Sequence, residues 1–256
     1  MKTLLSIIAV LAIIYFLAMA LLYLFQRTLL FPDVDEVSGI NRETIVFTNK
    51  GIELHGWVLN QGKPKAIIYF GGNAEQISGN IDLFEAALHE YSVYLVDYQG
   101  YGKSAGKPTE QSLFSDALFI YDQIKSEHTS ISTIGRSLGS GVAVYLGANR
   151  TIEKLVLLTP YDSIAELAQS HYPIFPTRYL VRDKFESISR AADITVPVLI
   201  VAAELDLVVP GIHTDKLLDQ LVNSKVSFKM VKNVGHNNID ESGEYSAALV
   251  DFFTAP

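Results

Sequence analysis

The chain has 256 residues, enough for one α/β domain with a sizeable core. Its formal charge of −8 provides no positive field for a phosphate backbone and no basic run breaks that pattern, which argues against nucleic acid as a partner. The absence of cysteine excludes disulfides, thiolate metal sites and a cysteine nucleophile.

From Thr3 to Phe25 the chain is apolar and carries no charge. As a helix this stretch reaches about 34 Å, enough for a hydrocarbon core of about 30 Å. A cleaved signal peptide is the competing reading, with Lys2 as its basic start and Ala18-Met19-Ala20 as an A-x-A cleavage site. The run continues through Leu21, Leu22, Tyr23, Leu24 and Phe25, longer than a signal-peptide core of about 7–15 residues, and so favours an anchor. Residues 1–27 are therefore read as a transmembrane signal-anchor and 28–256 as one α/β domain. The amino terminus and Lys2 precede the segment, while Arg27 and then Asp33, Asp35 and Glu36 follow it. That bias predicts a single-pass chain whose domain faces the non-cytoplasmic side, periplasmic or extracellular.

Thr44 to Thr48 and Ile52 to Leu59 flank the turn signal Asn49-Lys50-Gly51 and predict an antiparallel hairpin. Ala66–Phe70, Val93–Asp97, Ile131–Ile134, Leu155–Thr159 and Val198–Ala202 are short apolar runs, as in strands buried on both faces. Helix-length segments near 75–89, 110–126, 138–149 and 213–222 separate strands, and a last helix is expected from about Glu241 to Phe253. The pattern predicts a mostly parallel sheet. The segment from about 160 to 195 is too long for a simple crossover. Its aromatics Tyr161, Tyr172, Phe175, Tyr179 and Phe185, with Pro173 and Pro176, read as a lid over the carboxyl edge of the sheet. Packing of the lid onto its own domain accounts for about half of those aromatics.

Gly135-Arg136-Ser137-Leu138-Gly139 reads G-x-S-x-G between the Ile131–Ile134 run and a small-residue helix. A chain of this composition shows the letters by chance about one time in ten, so context decides. A sharp strand-to-helix turn lifts a serine Oγ clear of the sheet, and its crowded backbone leaves no room for Cβ atoms two residues either side. Ser137 is the candidate nucleophile.

Among six histidines, His236 lies in Val234-Gly235-His236-Asn237-Asn238, after the strand-like Val226–Val231 and before the last helix. That places it at the carboxyl edge beside Ser137, as a general base requires. His89 and His128 read as solvated, His55 and His213 as structural, and His171 lies in the lid, within possible reach of substrate. Asp206, at the end of the Val198–Ala202 strand, is the best orienting acid, with Glu204 and Asp162 as rivals. The order Ser137, Asp206, His236 is that of α/β-hydrolases. Gly71-Gly72-Asn73-Ala74 leaves the Ala66–Phe70 strand opposite this turn, and the amides of Asn73 and Leu138 are the expected oxyanion donors. Gly102-Lys103-Ser104 lacks the P-loop glycine, since Asp97 stands in its place, and Gly100, Gly102 and Gly106 miss the dinucleotide spacing by one residue.

Together Gln26 to Pro32, Gly71 to Ala74, Asp97 to Ser104, Gly135 to Gly139, Pro197 to Pro210 and Gly235-His236 resemble the α/β-hydrolases. Within them, the chain is similar to N-terminally membrane-anchored α/β-hydrolase domain-containing proteins and serine aminopeptidase-like hydrolases. The match covers most of residues 26–253. It implies the α/β-hydrolase fold behind one transmembrane helix, a triad at Ser137, Asp206 and His236, an oxyanion site at Asn73 and Leu138, and no metal or organic cofactor. Relatives often carry His-Gly ahead of the oxyanion residue where this chain has Gly71-Gly72, which leaves the bracing of that loop open.

The expected function is a membrane-anchored serine hydrolase of carboxylic esters or thioesters, with small-molecule acyl or lipid-like substrates. A serine aminopeptidase-type peptidase and a catalytically silent, membrane-tethered binding module are the alternatives. No protein partner is indicated.

Overall fold

A computed structural model describes residues 1–255. It opens on helix α1 (Lys2–Leu30), none of whose residues is buried and which is long and apolar enough to cross a membrane. The boundary expected at residue 27 falls inside this helix, because helical residues continue to Leu30.

Eight strands form one sheet: β1 (Thr44–Asn49), β2 (Ile52–Leu59), β3 (Lys65–Phe70), β4 (Tyr91–Val96), β5 (Ser130–Arg136), β6 (Leu155–Leu158), β7 (Val198–Ala203) and β8 (Val226–Val231), in spatial order β1-β2-β4-β3-β5-β6-β7-β8. The first two make the expected hairpin, and β2 runs antiparallel to β4; every other pairing is parallel. Strands β4, β6 and β7 are buried along their whole length, which is why they read as apolar runs without alternation. The chain moves outward from β3 to β4 and then returns to the other side of β3 for β5, so the crevice between the carboxyl ends of β3 and β5 is a topological switch point.

Helices cover both faces. On one, α3 (Glu110–Ile124) and α4 (Leu138–Asn149) bury Leu113, Ile120, Val142 and Leu146 against Ile68, Leu155 and Ile200. On the other, α2 (Ile81–Ala87) and α8 (Gly243–Thr254) bury Phe84, Tyr245 and Leu249 against Ile67, Val156 and Val201. The helix expected over 75–89 is shorter than its pattern: Ile77–Asn80 is a 3₁₀ turn and α2 follows it. A 3₁₀ turn at Ile239–Glu241 likewise precedes α8, which starts where the Ser242 hydroxyl caps the Glu244 amide. Helix α7 (Gly211–Gln220) begins directly after Pro210, two residues before the expected start.

The long 160–195 segment holds α5 (Ile164–His171), α6 (Thr177–Leu180) and a 3₁₀ turn at Ala191–Asp193. Its aromatics divide in two. Tyr161 and Phe185 are fully buried in the core, whereas Tyr172 and Tyr179 are exposed. The exposed pair lies toward α1, which docks along this segment: Tyr15 stacks on Phe175, Gln26 takes the Arg182 amide at 2.7 Å, and Arg27 pairs with Asp183 at 2.7 Å.

Candidate active site

Ser137 is the turn between β5 and α4. Its backbone has φ 49° and ψ −117°, a left-handed conformation that costs a non-glycine residue about 1–3 kcal/mol. The crowding that forces this turn is visible on both sides. A Cβ on Gly135 would run into the Gly139 carbonyl and the Ala143 side chain, and one on Gly139 would collide with the carbonyls of Phe70 and Gly71. Ser137 is further fixed by its amide, which donates to the Leu158 carbonyl at 2.8 Å, and by its carbonyl, which accepts from the amide and hydroxyl of Ser140.

The loop after β8 brings His236 to this serine, with Nε2 2.9 Å from the Ser137 hydroxyl oxygen. On the other side of the ring Nδ1 lies 2.7 Å from Asp206 Oδ2. The second carboxylate oxygen of Asp206 accepts the amides of Val208 and Val209 at 2.9 and 2.7 Å, so the turn after β7 locks the acid in place. All three side chains are nearly buried. An imidazole so placed can take the serine proton while the carboxylate fixes its tautomer and stabilises the imidazolium.

The rival acids are engaged elsewhere. Glu204 pairs with Lys232 at 2.8 Å and accepts the Asn233 amide, and Asp162 lies 2.8 Å from His213 Nδ1. His171 reaches the Val208 carbonyl at 2.9 Å and so ties the lid to the Asp206 turn. His128 is half-buried rather than solvated, because its two ring nitrogens meet the Tyr94 hydroxyl and the Lys63 carbonyl, each at 2.9 Å.

Asn73 and Leu138 are placed across the switch point. Leu138 opens α4, where the first amides have no partner within the helix. The Gly71–Ala74 loop leaves β3 against the serine: a Cβ on Gly72 would sit 3.5 Å from the Ser137 Cβ, and Ala74 takes φ 56° to turn the chain past Asn73. Its bracing comes from residues the motif reading passed over. Glu75 accepts the Gly72 amide with one oxygen, and with the other the Tyr69 hydroxyl at 2.7 Å, the Asn80 amide at 2.8 Å and the Arg136 guanidinium at 3.2 Å. Tyr98 adds a hydroxyl bond to the Gly71 carbonyl at 2.8 Å.

Arg136 then crosses to the histidine loop, pairing with Asp240 at 3.1 Å and reaching the carbonyls of His236 and Asn237. Burial works against this charge, but Glu75, Tyr69 and Asp240 outweigh it and raise the guanidinium pKa further. The Gly71–Ala74 loop, the serine turn and the histidine loop are thus joined through one buried cation. Its sequence signal was an arginine closing the strand that leads into the candidate serine, since such a charge must find carboxylates when buried.

A second Ser-His-Asp cluster was also missed. His213 on α7 sits between Asp162 and Ser170, 2.8 and 2.7 Å away, with the His and Asp side chains almost fully buried. Ser170 lies within α5, its hydroxyl also against the carbonyls of Glu166 and Leu167. Burial pushes the Asp162 pKa up, but the His213 hydrogen bond, the Ser163 amide, the His213 charge and Lys216 together bring it below the ordinary value.

No protein-family model matches the chain. It is 33% identical over 250 residues to an uncharacterized protein of Mycobacterium tuberculosis, spanning 91% of this chain and 88% of that one. It is 32% identical over 229 residues to the lysophosphatidylserine lipase ABHD12 of Danio rerio, covering 77% of this chain and 60% of the lipase's length. Other relatives are named α/β-hydrolase domain-containing proteins. Among solved structures, an esterase of Pyrococcus furiosus superposes with a TM-score of 0.67 at 16% identity, covering 87% of this chain and 96% of that one.

Proposed function

The chain belongs to the α/β-hydrolase family, and from that premise we propose that it is a serine hydrolase of carboxylic esters or thioesters, held at a membrane by α1. The observation that carries the proposal is the strained Ser137 with His236 Nε2 at 2.9 Å and Asp206 at 2.7 Å from the far side of the ring. Ser137 attacks the acyl carbonyl as His236 removes its proton, and Asp206 holds and stabilises the imidazolium. The Asn73 and Leu138 amides take the developing oxyanion, each donor being worth about 3 kcal/mol of transition-state stabilisation. His236 returns its proton to the leaving group and then activates water, which releases the acyl chain and frees Ser137.

Lipid-like substrates are favoured by the apolar α1, by the exposed aromatics of the lid and by the lysophosphatidylserine lipase among the relatives. An aminopeptidase needs an acid for the substrate amine; in the lid segment Asp162, Glu166 and Asp183 are already paired with His213, Arg178 and Arg27, which leaves Glu186 and Asp193 as its unpaired acids. The amino terminus and Lys2 ahead of the span, against Arg27 alone directly behind it, favour a domain on the non-cytoplasmic side, which protease protection of intact cells tests.

The catalytic proposal is tested with a fluorophosphonate probe on the wild-type chain, Ser137→Ala and His236→Ala. Labelling of the wild type alone supports it, equal labelling of all three overturns it, and a folded wild type that does not label supports the silent binding module. Turnover of p-nitrophenyl esters against aminoacyl nitroanilides separates esterase from peptidase.

A further inference from the structure

The docking of α1 on the lid fixes how deep the lid sits. Any window of about 20 residues within the uncharged Thr3–Phe25 run contains Tyr15 and ends at residues 22–25. At 1.5 Å per residue, Tyr15 then lies about 10–15 Å inside the hydrocarbon. Tyr15 is also where α1 meets the lid: its ring stacks on Phe175 with centroids 5.1 Å apart, and its hydroxyl donates to the Ile174 carbonyl at 3.0 Å. Residues 2–14, which extend beyond this contact, reach only about 20 Å and cannot cross about 30 Å of hydrocarbon alone. Tilt shortens their projection further.

We propose that the lid tip Tyr172–Pro176 is immersed in the acyl-chain region of the bilayer, so that substrate lipid meets the hydrolase from within the leaflet. This rests on the membrane-anchor reading above. The partner is the lipid hydrocarbon itself.

Three independent features fit that surrounding. Tyr172-Pro173-Ile174-Phe175-Pro176 carries no charge, and Ile174 is 71% exposed. An irregular backbone is tolerated at such depth only when its polar groups are satisfied internally. Here all five carbonyls are taken: Tyr172 by the Phe175 amide, Pro173 and Phe175 by Gln169, Ile174 by Tyr15, and Pro176 by the Tyr179 amide. Of the five amides, Pro173 and Pro176 carry no N–H, those of Tyr172 and Phe175 donate to the Ala168 and Tyr172 carbonyls, and that of Ile174 alone is left without a protein partner.

Apart from the Tyr15 hydroxyl bond, the polar contacts between α1 and the lid gather at the level of the interface. The Arg182 guanidinium lies 4.3 Å from the Tyr23 ring, Gln26 bonds the Leu180 carbonyl and the Arg182 amide, and Arg27 pairs with Asp183. Arg178, next to the tip, turns its guanidinium back to Glu166 at 2.9 Å. His171 joins the lid to the Asp206 turn, where Leu205, Leu207 and Val208 are exposed.

The cysteine-free sequence permits an unambiguous test, because any introduced cysteine is the sole thiol. The full chain carrying Ile174→Cys, Leu11→Cys or Val46→Cys is labelled with an environment-sensitive fluorophore and reconstituted in phosphatidylcholine vesicles. All three positions are exposed on the protein, so the label needs no repacking. A mid-chain nitroxide lipid is expected to quench the labels at Ile174 and Leu11 at least twofold while leaving Val46 unchanged. Quenching at Leu11 with Ile174 behaving like Val46 overturns the immersed lid and leaves the anchor standing. Quenching at neither position overturns the anchor reading and the proposal with it.

Discussion

Two places in this molecule bring serine, histidine and aspartate into hydrogen-bonding contact, and their distances hardly differ. Ser137–His236–Asp206 closes at 2.9 and 2.7 Å, and Ser170–His213–Asp162 at 2.7 and 2.8 Å. What separates them is the backbone. Ser137 stands on a left-handed turn at the start of α4, facing a glycine loop across the switch point. Ser170 lies within α5, with its hydroxyl against the carbonyls of its own helix. The first arrangement sits beside the opening amides of α4 and the Gly71–Ala74 loop, the donors the proposed mechanism uses; the second fastens the lid to α7. Side-chain proximity therefore selects neither role, and the turn that carries the serine does.

The largest effect that would break this contrast is at the serines. Ser137→Ala is expected to lower ester turnover by about 10⁴–10⁶-fold, and Ser170→Ala by less than about twofold. Comparable losses in the two variants would erase the distinction. His213→Ala should act on folding instead: it leaves Asp162 with only the Ser163 amide and Lys216, at a cost of about 1–3 kcal/mol read as a lowered denaturant midpoint, while turnover per folded molecule is kept.

A smaller effect sharpens the reacting side. Glu75→Gln keeps the shape of the Gly72 brace but removes the charge facing Arg136. It should reduce kcat by about 10–100-fold with little change in KM, as steady-state kinetics would show. The smallest is a pH effect on the fastening side. The Asp162 pKa is lowered on folding, so its contribution to stability is present above the ordinary carboxylate value of 3.8 and is lost as pH falls through the lower folded value. The stability gap between the wild type and Asp162→Asn should therefore close in acid, measured by denaturant titration below pH 3.8. A gap that widens there would assign the wrong sign to the pair.

Much of this was legible in the sequence because it is written in short-range steric rules. The strands β3 to β7 announce themselves as apolar runs, and Gly135 and Gly139 mark a turn with no space for a side chain. The hidden parts depend on long-range pairing. Arg136 meets Glu75 and Asp240 from segments 61 and 104 residues away, and His213 finds Asp162 across 51. Local pattern carries no trace of such partners. The place of the departure at Gly71-Gly72 was readable, but its compensation was not, since Glu75 reads locally as one more acid near the start of a helix.

The Arg27–Asp183 pair has a practical corollary for anyone preparing this protein. Asp183 also accepts the Glu110 amide at the start of α3, so α1 is keyed through one carboxylate into the layer that backs the sheet. A chain shortened to begin at Pro32 would strip the lid of Tyr15, Tyr23, Gln26 and Arg27 at once and leave that carboxylate without its cation. A chain so shortened would differ from the full-length one around the lid, so the proposed activity and its substrate preferences are best measured on detergent-solubilised full-length chain.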